Sequence, residues 1–241
     1  MKNAEVNIYQ IYYDESQKEY LYLDTIPLFN DELSLYFENN VILDLYKKGK
    51  IEGDFFGVLS WKNRIKNKIR SKKIKKFIRN DFDIYSFTYD RHDVLGYAQL
   101  CHSKFMSIFS SLLEYLNLDP GITPRIGLYQ NAIIAKPKIY IDYVENYLMP
   151  AIVFLENSPE VIKESLYADA EYRGVSKEVL IDSFGLDHYP YHTFLLERLW
   201  SVYYQINRNK QSNQYFISKL IPGSFRVKKV DTKGKIHKFN L

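Results

Sequence analysis

Glu197 stands in an otherwise apolar stretch, YPYHTFLLERLWSVYY (189–204), next to Arg198. A carboxylate partly desolvated by Phe194, Leu195 and Trp200 has a raised pKa, which suits it to take a proton from a hydroxyl. A structural ion pair with Arg198 explains the same residues equally well, and Asp90, Asp93 and Asp187 are further carboxylates on loops. Asp81 and Asp83 spell Asp-x-Asp, with which two carboxylates bridge a divalent cation to a diphosphate. Here the pattern precedes a strand instead of ending one, which favours a chance match. Asp14 and Glu15 end the first strand, where a carboxylate can hydrogen-bond a base or ribose or simply occupy a turn. Asn30 is a functional amide or a helix cap, and capping alone accounts for it. Glu38 faces a site or solvent. His102 adjoins a cysteine on an apolar helix face and reads as a core-edge histidine or a phosphate ligand. Asn131 opens a strand and is placed to contact hydroxyls.

The five histidines show no zinc spacing, and no glycine-rich phosphate loop or Gly-x-Ser-x-Gly elbow occurs. Cys101, the single cysteine, has no partner for an internal disulfide, so the chain is expected to be cytoplasmic. The longest strongly apolar stretch, 148–155, is too short to span a bilayer.

Elements that position these residues follow from periodicity. Strands are expected at 6–13, 54–60, 83–88 and 131–135, where β-branched and aromatic residues cluster. Helices are expected from Asn30 and Asp31 to Gly49, at 97–117, and from Pro137 with a kink at Pro150. Shorter ones follow at 159–167 and 176–183, then a long one at 193–207. Strands alternating with helices imply an α/β fold with a mixed sheet, helices on both faces and extra C-terminal helices. Such sheets bind ligands at the carboxyl ends of their strands. The 241 residues fit one domain, 1–207, followed by a basic tail, 208–241.

The net charge of +4 is unevenly placed. Residues 62–79 hold ten Lys/Arg and no acid, and 206–241 hold nine against one. Ile65, Ile69, Ile74, Phe77 and Ile78 interrupt the first run at roughly helical spacing. Stacking aromatics are lacking, so nucleic acid is a poor partner. An anionic membrane surface fits better, and a merely solvated helix face and tail is the plain alternative.

Four blocks resemble bacterial capsular and O-antigen polysaccharide synthesis proteins. They are NDELSLYFENNVILDLYKKGKIEGDFFGVLSWK (30–62), FDIYSFTYD (82–90) with His102, NAIIAKPKIYIDYVENYLMPAI (131–152) and YPYHTFLLERLWSVYY (189–204). The resemblance implies a GT-A-like glycosyltransferase with a Rossmann-type nucleotide-binding domain. It would move a sugar from a nucleotide-sugar donor, a UDP-sugar by preference, to a growing surface glycan or lipid-diphosphate-linked acceptor. A non-catalytic scaffold of the same fold, binding a glycan or an assembly partner, is the alternative.

By the resemblance, Glu197 and Lys62 are catalytic. Asp14, Asn30, Glu38, Ser60, Trp61, Arg64, His102, Asn131 and Arg198 bind the nucleotide sugar. Related proteins often carry His-Tyr-Arg-Arg after the strand that closes the first block, whereas this chain has Ser60-Trp61-Lys62-Asn63. Lys62, with Arg64, is therefore expected to replace the metal and neutralise the leaving diphosphate. No cofactor is then required, Mn²⁺ or Mg²⁺ on Asp81 and Asp83 being the alternative, and inverting chemistry is preferred. The place of action is the inner face of the cell membrane, with peripheral attachment.

Overall fold

The computed structural model describes residues 4–67, 69, 71–78, 82–87, 93–128 and 131–207, together with the backbone of 215–221, 224–230 and 236–240. Asp81 and Asp90 lie outside this set. The fold is α/β with a mixed sheet. Strand β1 (Val6–Tyr12) is flanked by β2 (Ile26–Phe29) and β3 (Phe55–Ser60), both parallel to it. Next to β3 comes β5 (Ile133–Ala135), antiparallel to β3 and to β4 (Ile84–Ser86) on its other side.

Alternation along the strands gives the sheet two apolar faces. On one, Ile11, Phe56, Val58, Ile84 and Ile133 meet the helical layer in a single large core. That layer contains α1 (Glu38–Lys47), α3 (Val94–Cys101) and α4 (Phe105–Tyr115). It continues with α5 (Pro137–Tyr143), α6 (Met149–Asn157), α7 (Glu160–Leu166), α8 (Lys177–Phe184) and α9 (His192–Asn207). The expected helix at 97–117 is divided at 102–104, where the His102 ring turns in to a backbone carbonyl. The kink expected at Pro150 is met by a π-helical turn, Val144–Leu148, which leads directly into α6. The wider turn removes the need for the N–H that proline lacks.

The other face departs from expectation. Instead of helices it carries an irregular basic strap. After the single turn α2 (Asn63–Lys66), Ile69, Ile74 and Ile78 insert against Val6, Ile8, Phe55, Leu59, Tyr85 and Ile134. Lys72, Lys73 and Lys76 remain exposed. Cations recurring four residues apart repel along a helix, so the described part of the run has one helical turn and one 3-10 turn, Lys75–Phe77, and the isoleucines pin it. Asp24 fastens it further by accepting from the backbone N–H of Ile74 and Lys75 at 2.8 and 2.9 Å.

Two more expectations are corrected. Helix α1 begins at Glu38, not near Asn30. Asn30 instead closes a local turn, its amide donating to the Glu32 carbonyl at 3.1 Å. Residues beyond 207 are not a plain tail. The backbone forms β6 (Tyr215–Ile221), parallel to β4, then β7 (Ser224–Val230) and β8 (Ile236–Asn240), so the sheet order is β2-β1-β3-β5-β4-β6-β7-β8. Basic residues alternating with apolar ones, as in SFRVKKV, have the period of a strand, and total charge conceals that period.

Candidate functional site

Parallel β1 and β3 are in register, Ile11 opposite Ser60, so both chains leave the sheet at the same end. Tyr13 follows β1 there, and Ser60-Trp61-Lys62 follows β3. Helix α1 begins beside them, and α9 supplies the opposite wall. Together they enclose a cavity of about 150 Å³ at the carboxyl ends of the strands, where α/β sheets place their ligands. Its polar wall is Glu38, Ser60, Lys62, Lys66 and Glu197, and its aromatic wall is Tyr13, Phe37, Trp61, Tyr172 and Phe194. Five of the eleven residues expected to bind the donor or act in catalysis (Glu38, Ser60, Trp61, Lys62 and Glu197) thus meet in one place, from three distant segments.

Glu38 is the first residue of α1, and the residue before it is strained. Phe37 has φ 46° and ψ −129°, a region that non-glycine residues avoid at a cost of about 1–3 kcal/mol. Its ring stacks on Tyr189, with centroids 4.7 Å apart and planes 4° from parallel. The Tyr189 hydroxyl in turn donates to the Ser34 carbonyl at 2.6 Å. Aromatic packing therefore holds the bend that aims Glu38 at the cavity. Burial pushes the Glu38 carboxyl above the usual carboxylate range and the charge of Glu197 adds to the rise, while its own backbone N–H, Lys66 and the Ser60 hydroxyl oppose it.

Lys62 is half-buried, with its ammonium 5.1 Å from the centroid of the Trp61 ring. Desolvation, then the neighbouring Lys66, lowers its pKa, and Glu38 partly offsets this. Trp61 itself packs on Tyr20 at 5.6 Å. Glu197 is ion-paired with its neighbour: Arg198 Nη1 donates to Oε2 at 3.2 Å, the guanidinium being the more buried partner. The ion pair expected from the sequence is thus present, and the paired carboxylate also lines the cavity.

The remaining expected site residues stand elsewhere. Asp14 is exposed and caps the 3-10 turn Glu15–Tyr20, accepting from the Ser16 N–H at 2.8 Å. Arg64 is spent on the same turn, donating to the carbonyls of Tyr20 and Glu19 at 3.2 Å each. Lys66, four residues after Lys62 and so on the same helical face, lines the cavity in its stead. His102 packs behind the aromatic wall. Its ring lies 4.4 Å from Phe194, and since a carbonyl only accepts, Nδ1 carries the hydrogen shared with Ala170. Burial lowers its pKa, so it is a neutral core-edge histidine. Arg198 serves Glu197. Asn131, at φ 47°, is buried at the same end of the sheet as the cavity, and neither amide atom meets a hydrogen-bonding partner. Asn30 is next to the Tyr13 hydroxyl, one layer behind the cavity. Asp93 caps α3, and exposed Asp187 is paired with Lys177 and His188.

Of the alternative metal pair only Asp83 is among the described residues. Asp83 begins β4, which runs parallel to β3, and is therefore at the sheet end opposite the cavity, where Lys136 takes its carboxylate. Among the described residues no group of three or more His, Cys, Asp or Glu is arranged to hold a metal ion.

Tyr13, Lys66 and Tyr172 were not foreseen. The spacing of Lys66 from Lys62 was available as a signal, whereas Tyr172 comes from an irregular loop and carries none. No family model, curated protein or solved structure matches the chain.

Proposed function

We propose that the chain is a GT-A-like glycosyltransferase that uses this cavity to hold a nucleotide-sugar donor, a UDP-sugar by preference. The acceptor is a growing surface polysaccharide or a lipid-diphosphate-linked oligosaccharide of capsule or O-antigen type. The observation that carries the reading is the convergence of Lys62 and Lys66 with Glu38 and Glu197 at the carboxyl ends of β1 and β3.

In this reading the two ammonium groups face the diphosphate. Charge builds on the departing β-phosphate as the anomeric bond breaks, and fixed cations in a partly dry cavity stabilise it. A lysine ammonium is a compact point charge and suits this task without a metal. The aromatic wall offers a ring face to the sugar, and the unpaired amide of Asn131 has hydrogen-bonding capacity for a ligand hydroxyl at that end. Displacement is single, with inversion, and one carboxylate takes the acceptor proton. The strap lysines bring the enzyme to the anionic inner surface of the membrane, where a lipid-linked acceptor resides. No helix among the described residues is long and apolar enough to cross a membrane.

The test is a melting screen of UDP, GDP, CMP and TDP and their sugars, each with EDTA and with Mn²⁺. A ligand at 100 times its dissociation constant adds about 2.7 kcal/mol. One nucleotide family is expected to stabilise the chain, with the gain persisting in EDTA. Lys62→Met should weaken that ligand by about 1.5–3 kcal/mol, roughly 10- to 100-fold. Stabilisation by no nucleotide would turn the reading towards a non-catalytic scaffold.

A further inference from the structure

The two carboxylates of the cavity are not equivalent. Glu197 is already committed to the buried guanidinium of Arg198 at 3.2 Å. Glu38 has no cation within 4.0 Å among the described residues, although Lys62 and Lys66 share its cavity. Glu197 sits within a regular, unstrained helix. Glu38 is presented by a bent backbone at Phe37 that aromatic stacking must hold in place. Strain of this kind persists only where the surroundings over-determine it, and it concentrates at sites of action. Burial also favours the neutral form of Glu38 once it has accepted a proton.

We propose that Glu38, aimed by the strained Phe37 backbone, is the base that takes the acceptor's proton, with Glu197 a positioning residue. The assignment rests on the transferase reading above. As the acceptor oxygen bonds to the anomeric carbon, its proton passes to the Glu38 carboxylate. The bond from that carbon to the diphosphate oxygen breaks, and its electron pair leaves with the diphosphate towards Lys62 and Lys66. The Glu38 carboxylic acid then returns the proton to water.

The experiment uses the full chain with UDP-glucose, UDP-galactose, UDP-N-acetylglucosamine and GDP-mannose, water serving as acceptor, and measures nucleoside diphosphate release. Wild-type kcat/KM is expected to rise with pH through a midpoint above the ordinary glutamate value of 4.5. Glu38→Gln should keep the donor-induced melting shift yet release diphosphate at least about 100-fold more slowly, with the rising limb gone. Glu38→Asp, included in case the amide disturbs folding, should restore part of the rate and the limb. Glu197→Gln should keep the limb and move it to lower pH, because a repelling charge has been removed. A Glu38→Gln enzyme that binds donor and works at the wild-type rate would overturn the assignment, as would loss of the limb in Glu197→Gln alone. A wild-type chain that neither binds nor cleaves any donor would overturn the transferase reading itself, and this is seen before any variant is made.

Discussion

Burial favours the neutral form of each kind of charge in the cavity, raising the Glu38 carboxyl and lowering the Lys62 ammonium. For Glu38 the folded pKa exceeds the unfolded one, so the folded state binds more protons between the two. Stability is therefore lost as pH rises through that window, and Glu38→Gln should melt higher than wild type at pH 8, the gain vanishing below about pH 4.5. Calorimetry across pH checks this, and a stabilising substitution at a site of action has the usual sign of a function–stability conflict. For Lys62 the depressed pKa means that diphosphate affinity should fall with rising pH before the ordinary lysine value of 10.5 is reached. Isothermal titration should show that dependence flattened in Lys62→Met. At this scale the sequence was informative where a residue type is scarce. Glu197 stands out because it interrupts apolar neighbours, and Lys62 because it follows a buried strand. Arg64 and Asp14 were read as ligands, but nearby carbonyls and a helix start claim them, and those partners are tertiary.

Elements fix what single residues cannot. Helix α9 opens at His192, buried against Tyr167 with ring centroids 4.9 Å apart. Desolvation lowers the His192 pKa to about 4 from 6.5, so the folded state binds fewer protons in that interval. Its contribution is complete above pH 6.5 and is lost as pH falls towards 4, amounting to about 3 kcal/mol. Urea titrations at several pH values should show this acid sensitivity, and His192→Phe should reduce it. On the opposite face Ile74 is fully buried, and Ile74→Ala should cost about 2–5 kcal/mol by freeing the strap. Periodicity located β1, β3 and α9 well, because each is buried along most of its length, and it placed α7 and α8 closely although they bury only Leu166 and Leu180. It misplaced the start of α1, since the chain from Asn30 to Phe37 is fixed by Tyr189, whose ring stacks on Phe37 and whose hydroxyl donates to the Ser34 carbonyl from 155 residues away. Nor could it see that like-charge repulsion keeps the described part of the 62–79 run to short turns.

Over the whole molecule, charge and sheet topology act together. The strap begins at the cavity with Lys62 and Lys66 and then crosses the sheet face, displaying Lys72, Lys73 and Lys76 to solvent. Binding to vesicles containing phosphatidylserine should therefore weaken as salt rises, and Lys72→Glu with Lys73→Glu should reduce it at about 1 kcal/mol per charge. Co-sedimentation at two ionic strengths is sufficient to decide. The α/β class and the placing of a site at the strand ends were legible in the alternation of strands and helices. The eight-strand order was not, because β6, β7 and β8 alternate cations with apolar residues and resemble a basic tail. The central claim is that this sheet end binds a nucleotide sugar through lysines. Its most direct test is the melting temperature with UDP-sugars in EDTA, wild type against Lys62→Met. A shift in the wild type that is largely lost in the variant is the predicted result, and equal shifts in both, or one that requires Mn²⁺, would contradict it.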